Sequence, residues 1–285
     1  MPEGHVVHRQ AIHLRKHFVG QQLLVQSPQG RFAAEAKKLS GLQLISASAV
    51  GKHLFLEFEK GLTVRVHLGI YGKWQFQKYK NEIPTVTGEV RLRIISKTNE
   101  VADLRGPTAC ELIDQERVQS VLAKLGPDPL AKKLRKKNAD LFIERVSKSK
   151  APIAQLLMDQ SVVSGIGNVY RAELLFRAGI DPKQAGNSID ANTLRKIWDD
   201  AAYLLEHGVK SGLMITREEV RGLSPEFEER YFVYKREGLP CRICGKRIEM
   251  SILAGRKLYW CPKCQQSGRR ESNSHHQFGR LRLYH

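Results

Sequence analysis

The chain has 285 residues, 41% of them hydrophobic and 27% charged, which is enough for one large or two modest domains with a real core. Those fractions exclude wholesale disorder, collagen and coiled coil. Charge is the outlier: 47 Lys and Arg against 29 Asp and Glu leave +18, which predicts attraction to a polyanion such as nucleic acid, an anionic membrane surface or acidic protein.

The chain opens on Met1-Pro2-Glu3-Gly4-His5, unlike a basic-then-apolar secretory signal, and no apolar run reaches the roughly 18 residues a membrane span needs. A cytoplasmic protein with no membrane partner is expected. Residues 2–18 read as a helix, because Val7, Ala11, Leu14 and Phe18 share one face and Gly20 stops it. His5, His8, His13 and His17 recur along the same helix at near-helical spacing; with no companion carboxylate pattern they read as a polar face rather than a metal site. From Leu23 the period becomes two. Leu54, Leu56 and Phe58 alternate with His53, Phe55 and Glu57, and Leu62, Val64, Val66 and Leu68 do likewise across the short connection Glu59-Lys60-Gly61. Val90, Leu92 and Ile94 add a further strand, so residues 20–110 read as antiparallel sheet in a sandwich or barrel.

The breaker cluster Gly126-Pro127-Asp128-Pro129 marks a boundary near 126. Residues 130–232 then read as helical, with stretches around Leu141, from 151 to 158 and from 169 to 178, and an apolar stripe at Leu194, Ile197, Ala201 and Leu204. The tail from Gln265 has no period and reads as mobile. Residues 131–150 carry a net +6 and residues 235–285 a net +9, so 15 of the 18 excess charges sit in two patches.

Four of the five cysteines form Cys241-x-x-Cys244 and Cys261-x-x-Cys264, separated by sixteen residues. Two thiolate pairs at this spacing suit one tetrahedral structural Zn2+ in a small ribbon, leave Cys110 as a spare buried thiol and place catalysis elsewhere. Ser164-Gly165-Ile166-Gly167-Asn168-Val169-Tyr170 is a glycine turn entering a helix, where free backbone N–H groups suit phosphate; alone, the pattern is weak. At the N-terminus, Pro followed by an acid is by itself just a good helix start. If Met1 is removed, however, Pro2 presents a secondary amine with an appreciable neutral fraction near pH 7, and Glu3 is the adjacent proton donor.

Taken together, Pro2-Glu3-Gly4, Gly51-Lys52, Gly165-Ile166-Gly167-Asn168 and Arg256 in a four-cysteine finger resemble the formamidopyrimidine-DNA glycosylase and endonuclease VIII family. The resemblance spans both ends and the middle of the chain. It implies an α+β multidomain protein with an N-terminal antiparallel β-sandwich carrying an N-terminal helix (1–126), a helix-two-turn-helix domain (127–234) and a zinc finger (235–268), with 269–285 a disordered tail. It implies a bifunctional DNA glycosylase and abasic-site lyase of base excision repair, monomeric, acting on double-stranded DNA with oxidised bases or abasic sites. By position Pro2 is the Schiff-base nucleophile, Glu3 its proton donor, Lys52 the proton donor in β-elimination and Arg256 the phosphate grip assigned to δ-elimination. Asn168, with Gly167 before it, and Lys124 are implied DNA contacts.

His67-Leu68-Gly69-Ile70-Tyr71-Gly72-Lys73-Trp74 resembles the endonuclease VIII loop, which makes Ile70 and Tyr71 the wedge that fills the space of an extruded base and favours oxidised pyrimidines. The segment Leu104-Arg105-Gly106-Pro107-Thr108 lacks the aromatic wedge of the formamidopyrimidine branch. One departure is Gly69, where the endonuclease VIII pattern has Gln. An 8-oxoguanine-preferring enzyme, a non-catalytic DNA-binding relative and a basic RNA-binding zinc-ribbon protein remain the alternatives.

Overall fold

Helix α1 spans Gly4–Phe18, with the extended Glu3 as its N-cap residue, so Pro2 lies just outside the helix. Val7, Ala11, Leu14 and Phe18 are all at most 2% exposed and join one core with the sheets that follow. Burial of each of the Val, Leu and Phe side chains contributes about 1.5–3 kcal/mol, and the Ala11 methyl less. The computed structural model describes residues 2–266; the fate of Met1 and the tail at 269–285 lie outside the described residues.

The strands run β1 (Leu24–Gln26), β2 (Leu44–Val50), β3 (His53–Phe58), β4 (Thr63–His67), β5 (Lys73–Lys78), β6 (Val90–Ile95), β7 (Glu100–Arg105) and β8 (Ala109–Ile113). They form two four-stranded antiparallel sheets, ordered β1-β6-β7-β5 and β2-β3-β4-β8. The β3–β4 register pairs Leu54 with Val66 and Leu56 with Val64, so the alternating residues read from sequence face the shared core.

A helix α2 (Ala33–Leu39) interrupts the segment read as continuous sheet. Ala36 and Leu39 are its buried face, and seven residues of good helix formers are too few to show a period. Helix α3 (Gln115–Ala123) was likewise invisible to periodicity, since it buries only Val118; Asp114 starts it by accepting the Arg117 N–H at 2.8 Å.

Beyond Gly126 come α4 (Arg135–Ser147), α5 (Ile153–Leu156), α6 (Asn168–Arg177) and α7 (Ala191–Ser211). Only Ile153–Leu156 of the stretch expected at 151–158 is helical. The stripe Leu194, Ile197, Ala201 and Leu204 is fully buried, with Trp198 against Phe142 at 5.5 Å. Helix α1 ties this core to the sandwich. Arg9 donates to the Val209 and Lys210 carbonyls at the C-terminal end of α7, and Gly208 leaves room for His5, on which a Cβ would intrude to 2.7 Å.

The last described elements are β9 (Glu249–Leu253) and β10 (Arg256–Trp260), an antiparallel hairpin. Ala254 and Gly255, at φ 47° and 71°, form its two-residue turn, so Arg256 stands at the tip. Gln265, expected in the mobile tail, is 3% exposed; it accepts the Cys261 N–H and donates to the Ile180 carbonyl.

Candidate active site

Three glycines let three distant segments touch. Gly4 N–H donates to the Gly165 carbonyl at 2.8 Å, and a Cβ on Gly4 would lie 3.0 Å from Gly165 Cα. Gly51, at φ +57° in the β2–β3 turn, abuts Ser164, where a Cβ would come to 2.7 Å. Larger residues would hold these backbones apart.

The junction places Glu3 over the N-terminus of α6. Its side chain is 0% exposed and accepts the N–H groups of Gly167 at 2.6 Å and Val169 at 2.9 Å. Gly167 is glycine for the same reason: a Cβ there would lie 2.5 Å from the Glu3 carboxyl carbon. Burial pushes the Glu3 carboxyl above the ordinary carboxylate range, against the opposing pull of Lys52 and the α6 backbone N–H groups. Burial likewise lowers the Lys52 ammonium, with Glu3 opposing and Arg256 reinforcing the change. The two shifts run toward each other, so burial brings the proton affinities of this carboxyl and this ammonium closer together.

The turn that carries Lys52 is held by Asp128 from the Gly-Pro-Asp-Pro segment. The Asp128 carboxylate accepts Gly51 N–H at 2.7 Å and Leu130 N–H at 2.8 Å, and lies 2.9 Å from His8 Nε2. The sequence showed this segment only as a breaker; its use as an anchor across the boundary depends on tertiary contact.

Pro2, Lys52, Ile70 and Arg256 line one cleft of about 430 Å³. Sequence reasoning missed its other wall: Gln155, Asp159, Gln160 and Arg171. Arg171 is 1% exposed and burial pushes its guanidinium down to about 10, with Arg256 adding to the shift. A buried Arg on a helix looks like any other helical arginine in sequence. Asn168 donates to the Lys257 carbonyl at 2.9 Å and accepts from Arg171, which also donates to that carbonyl, so both residues brace the hairpin bearing Arg256.

At the rim, Ile70 is 56% and Tyr71 85% exposed. Their loop is a tight turn closed by Gly72 N–H on the Leu68 carbonyl at 3.0 Å. Gly69 has φ +66°, and a Cβ there would overlap Thr108 Oγ1 at 1.8 Å, which accounts for the departure from Gln. Lys124 is exposed at the C-cap of α3 and is not among the residues lining the cleft.

The ligand sulfurs of Cys241, Cys244, Cys261 and Cys264 lie within 4.8 Å of one another, with Cys241–Cys264 at 3.8 Å and Cys244–Cys261 at 3.5 Å. A tetrahedron with Zn–S near 2.3 Å has sulfur–sulfur edges of about 3.8 Å, so the four thiolates fit one structural zinc. Cys110 is partly buried, its thiol pushed up to about 12 by burial.

Three family models match in order: the formamidopyrimidine-DNA glycosylase N-terminal domain over residues 1–110, its H2TH domain over 125–219, and the zinc finger found in FPG and IleRS over 238–266. The chain is 43% identical to endonuclease 8 1 of Mycobacterium tuberculosis over 93% of its own length and all of the relative's. It is 29% identical to formamidopyrimidine-DNA glycosylase of Thermus thermophilus over 94% of its length and all of that protein's. The crystal structure of the Lactococcus lactis Fpg with abasic-site DNA matches with a TM-score of 0.76 at 25% identity, covering 93% of this chain and 99% of that one. The chain belongs to the formamidopyrimidine-DNA glycosylase and endonuclease VIII family of DNA glycosylases.

Proposed function

We propose that the protein is a bifunctional glycosylase and abasic-site lyase that removes oxidised pyrimidines from double-stranded DNA in base excision repair, acting as a cytoplasmic monomer. The observation that carries this reading is the meeting of Pro2, Lys52 and Arg256 in one cleft, with Glu3, the neighbour of Pro2 in the chain, fully buried on the N-terminus of α6. With Met1 removed, the Pro2 nitrogen attacks C1′ and the base departs with the electrons of the glycosidic bond. Glu3 protonates the ring oxygen as the sugar opens, and the nitrogen loses its proton to give an iminium ion. The iminium acidifies C2′; loss of that proton expels the 3′ phosphate, and loss of the C4′ proton then expels the 5′ phosphate. Lys52 and Arg256 supply protons and charge to the departing phosphates.

The proposed division of labour assigns chemistry to 1–126, duplex binding to 127–234 and the lesion-side phosphate grip to the finger at 235–268. Base extrusion costs a few kcal/mol, less for damaged bases, and Ile70 and Tyr71 are the exposed apolar residues available to fill the gap. Preference for pyrimidines is supported by this Ile-Tyr-Gly loop and by the higher identity to an endonuclease 8 (43%) than to the formamidopyrimidine-DNA glycosylase of Thermus thermophilus (29%).

The test is borohydride trapping on duplexes carrying thymine glycol, 5-hydroxyuracil, 8-oxoguanine or an abasic site. An adduct on an N-terminal Pro2 peptide, strongest with the oxidised pyrimidines, is expected. An adduct on the Lys52 peptide would overturn the nucleophile; strongest trapping with 8-oxoguanine would overturn the branch. No adduct from protein that starts at Pro2 would leave a DNA-binding relative without the chemistry.

A further inference from the structure

Helix α1 carries a histidine pair that the cleft does not use. His13 and His17, four residues apart and so on one face, stack at 4.5 Å, and the Phe76 ring packs 4.0 Å from His13. The carboxylate missing from the local sequence arrives from the sheet: Glu100, first residue of β7, places Oε1 3.0 Å from His17 Nδ1. Ligand atoms of all three residues lie within 4.8 Å of one another. Glu100 is 5% exposed, its N–H is fixed on Ser96 Oγ at 3.1 Å, and its second oxygen, Oε2, is buried with no hydrogen-bond partner among the described residues. An unsatisfied buried carboxylate oxygen is costly and calls for a partner such as a water or an ion.

We propose that His13, His17 and Glu100 form a second metal site, separate from the four-cysteine finger, that takes a borderline divalent ion of the Zn2+ class with water completing the shell. Two imidazoles and one carboxylate suit Zn2+, Ni2+ or Cu2+ and not Mg2+ or Ca2+, which prefer all-oxygen shells. The competing cation is Lys78, whose ammonium lies 3.0 Å from Glu100 Oε1 but whose side chain is 76% exposed and free to swing into solvent. The ion cross-links α1 to β7 about 15 Å along the helix from its N-terminus, so it braces the element that delivers Pro2 and Glu3.

The test uses the full chain with the finger zinc-loaded, dialysed against Zn2+ and assayed for bound metal and thermal midpoint. The wild type is expected to hold two equivalents and to gain thermal stability with the second. His17→Gln and Glu100→Gln are expected to hold one equivalent and show no gain. Lys78→Ala, an exposed change that leaves the fold alone, is expected to bind the second ion more tightly by removing its competitor. One equivalent in the wild type, or a second equivalent that persists in both ligand variants, or no tightening in Lys78→Ala, would overturn the site.

Discussion

The buried junction that carries Pro2, Glu3 and Lys52, the floor on which the site rests, and the exposed rim of the cleft are built on opposite principles. The floor is backbone against backbone: Gly4 on Gly165, Gly51 on Ser164, and the fully buried Glu3 held by the Gly167 and Val169 N–H groups. The rim is side chains on turns, with Tyr71 85% and Ile70 56% exposed and Arg256 following a two-residue hairpin turn. A buried carboxyl gains its shifted acidity only where nothing can relax around it, whereas groups that meet a bulky, variable duplex work better on loops. In the proposed mechanism bond-breaking falls to the floor and recognition to the rim, and substitutions in each should separate the two.

The largest effect is expected from Glu3→Gln. The variant keeps the shape of the side chain but cannot donate or take the proton, so single-turnover base excision should fall by about 10²–10⁴-fold while duplex affinity stays near wild type. Loss of affinity in step with rate would place Glu3 in binding and remove the separation. Gly167→Ala follows: the added methyl would lie 2.5 Å from the Glu3 carboxyl carbon, so the carboxyl must leave its N–H partners. Excision should drop by roughly 10²-fold, as for other small displacements of a reacting group, with stability lowered by about 1–3 kcal/mol. A denaturation midpoint that falls while excision holds would show that the floor tolerates movement.

These two residues also mark how far the sequence could be read. The four cysteines were legible because they are regularly spaced, and the strand alternation at Leu54–Phe58 was legible because burial on one face writes period two directly into the chain, whereas Pro2 and Glu3 alone read as a helix start and stood out only through the resemblance. What stayed hidden depends on segments far apart in sequence. Gly167 hydrogen-bonds a residue 164 positions away, and Asp128 anchors a turn 77 positions away. In a linear reading one is a glycine before a helix and the other a turn residue. The histidines of α1 lacked a carboxylate for the same reason, since Glu100 meets them only once β7 is folded. Arg171 shows no pattern at all, because its burial comes from the cleft wall and not from its helix.

Protonation offers a finer comparison. Lys52 sits between floor and rim, with its ammonium lowered by burial. A group that must donate a proton is lost as pH rises through its folded pKa, so β-elimination on an abasic duplex should decline on an alkaline limb below the ordinary lysine range. Because Glu3 is raised, its protonated form persists above the ordinary carboxylate range, and excision should hold to higher pH than a free carboxyl would allow before falling. Lys52→Arg, always charged, should lower the rate and abolish the alkaline limb of elimination. An unchanged limb in that variant would assign it to another group.

The smallest expected effect belongs to the rim, and it is the one that tests the comparison most closely. Tyr71→Ala removes a ring that is 85% exposed in the protein alone, so its folding free energy should change by no more than about 0.5 kcal/mol. Stacking of a base on an aromatic ring is worth about 1–3 kcal/mol, so affinity for a duplex with an extruded base should fall by roughly 10-fold. An abasic site leaves the same gap and should lose about as much, whereas an undamaged, fully stacked duplex has no gap to fill and should lose little. Equal losses on the gapped and the undamaged duplex would mean that Tyr71 holds the DNA backbone and does not sense the vacated stack.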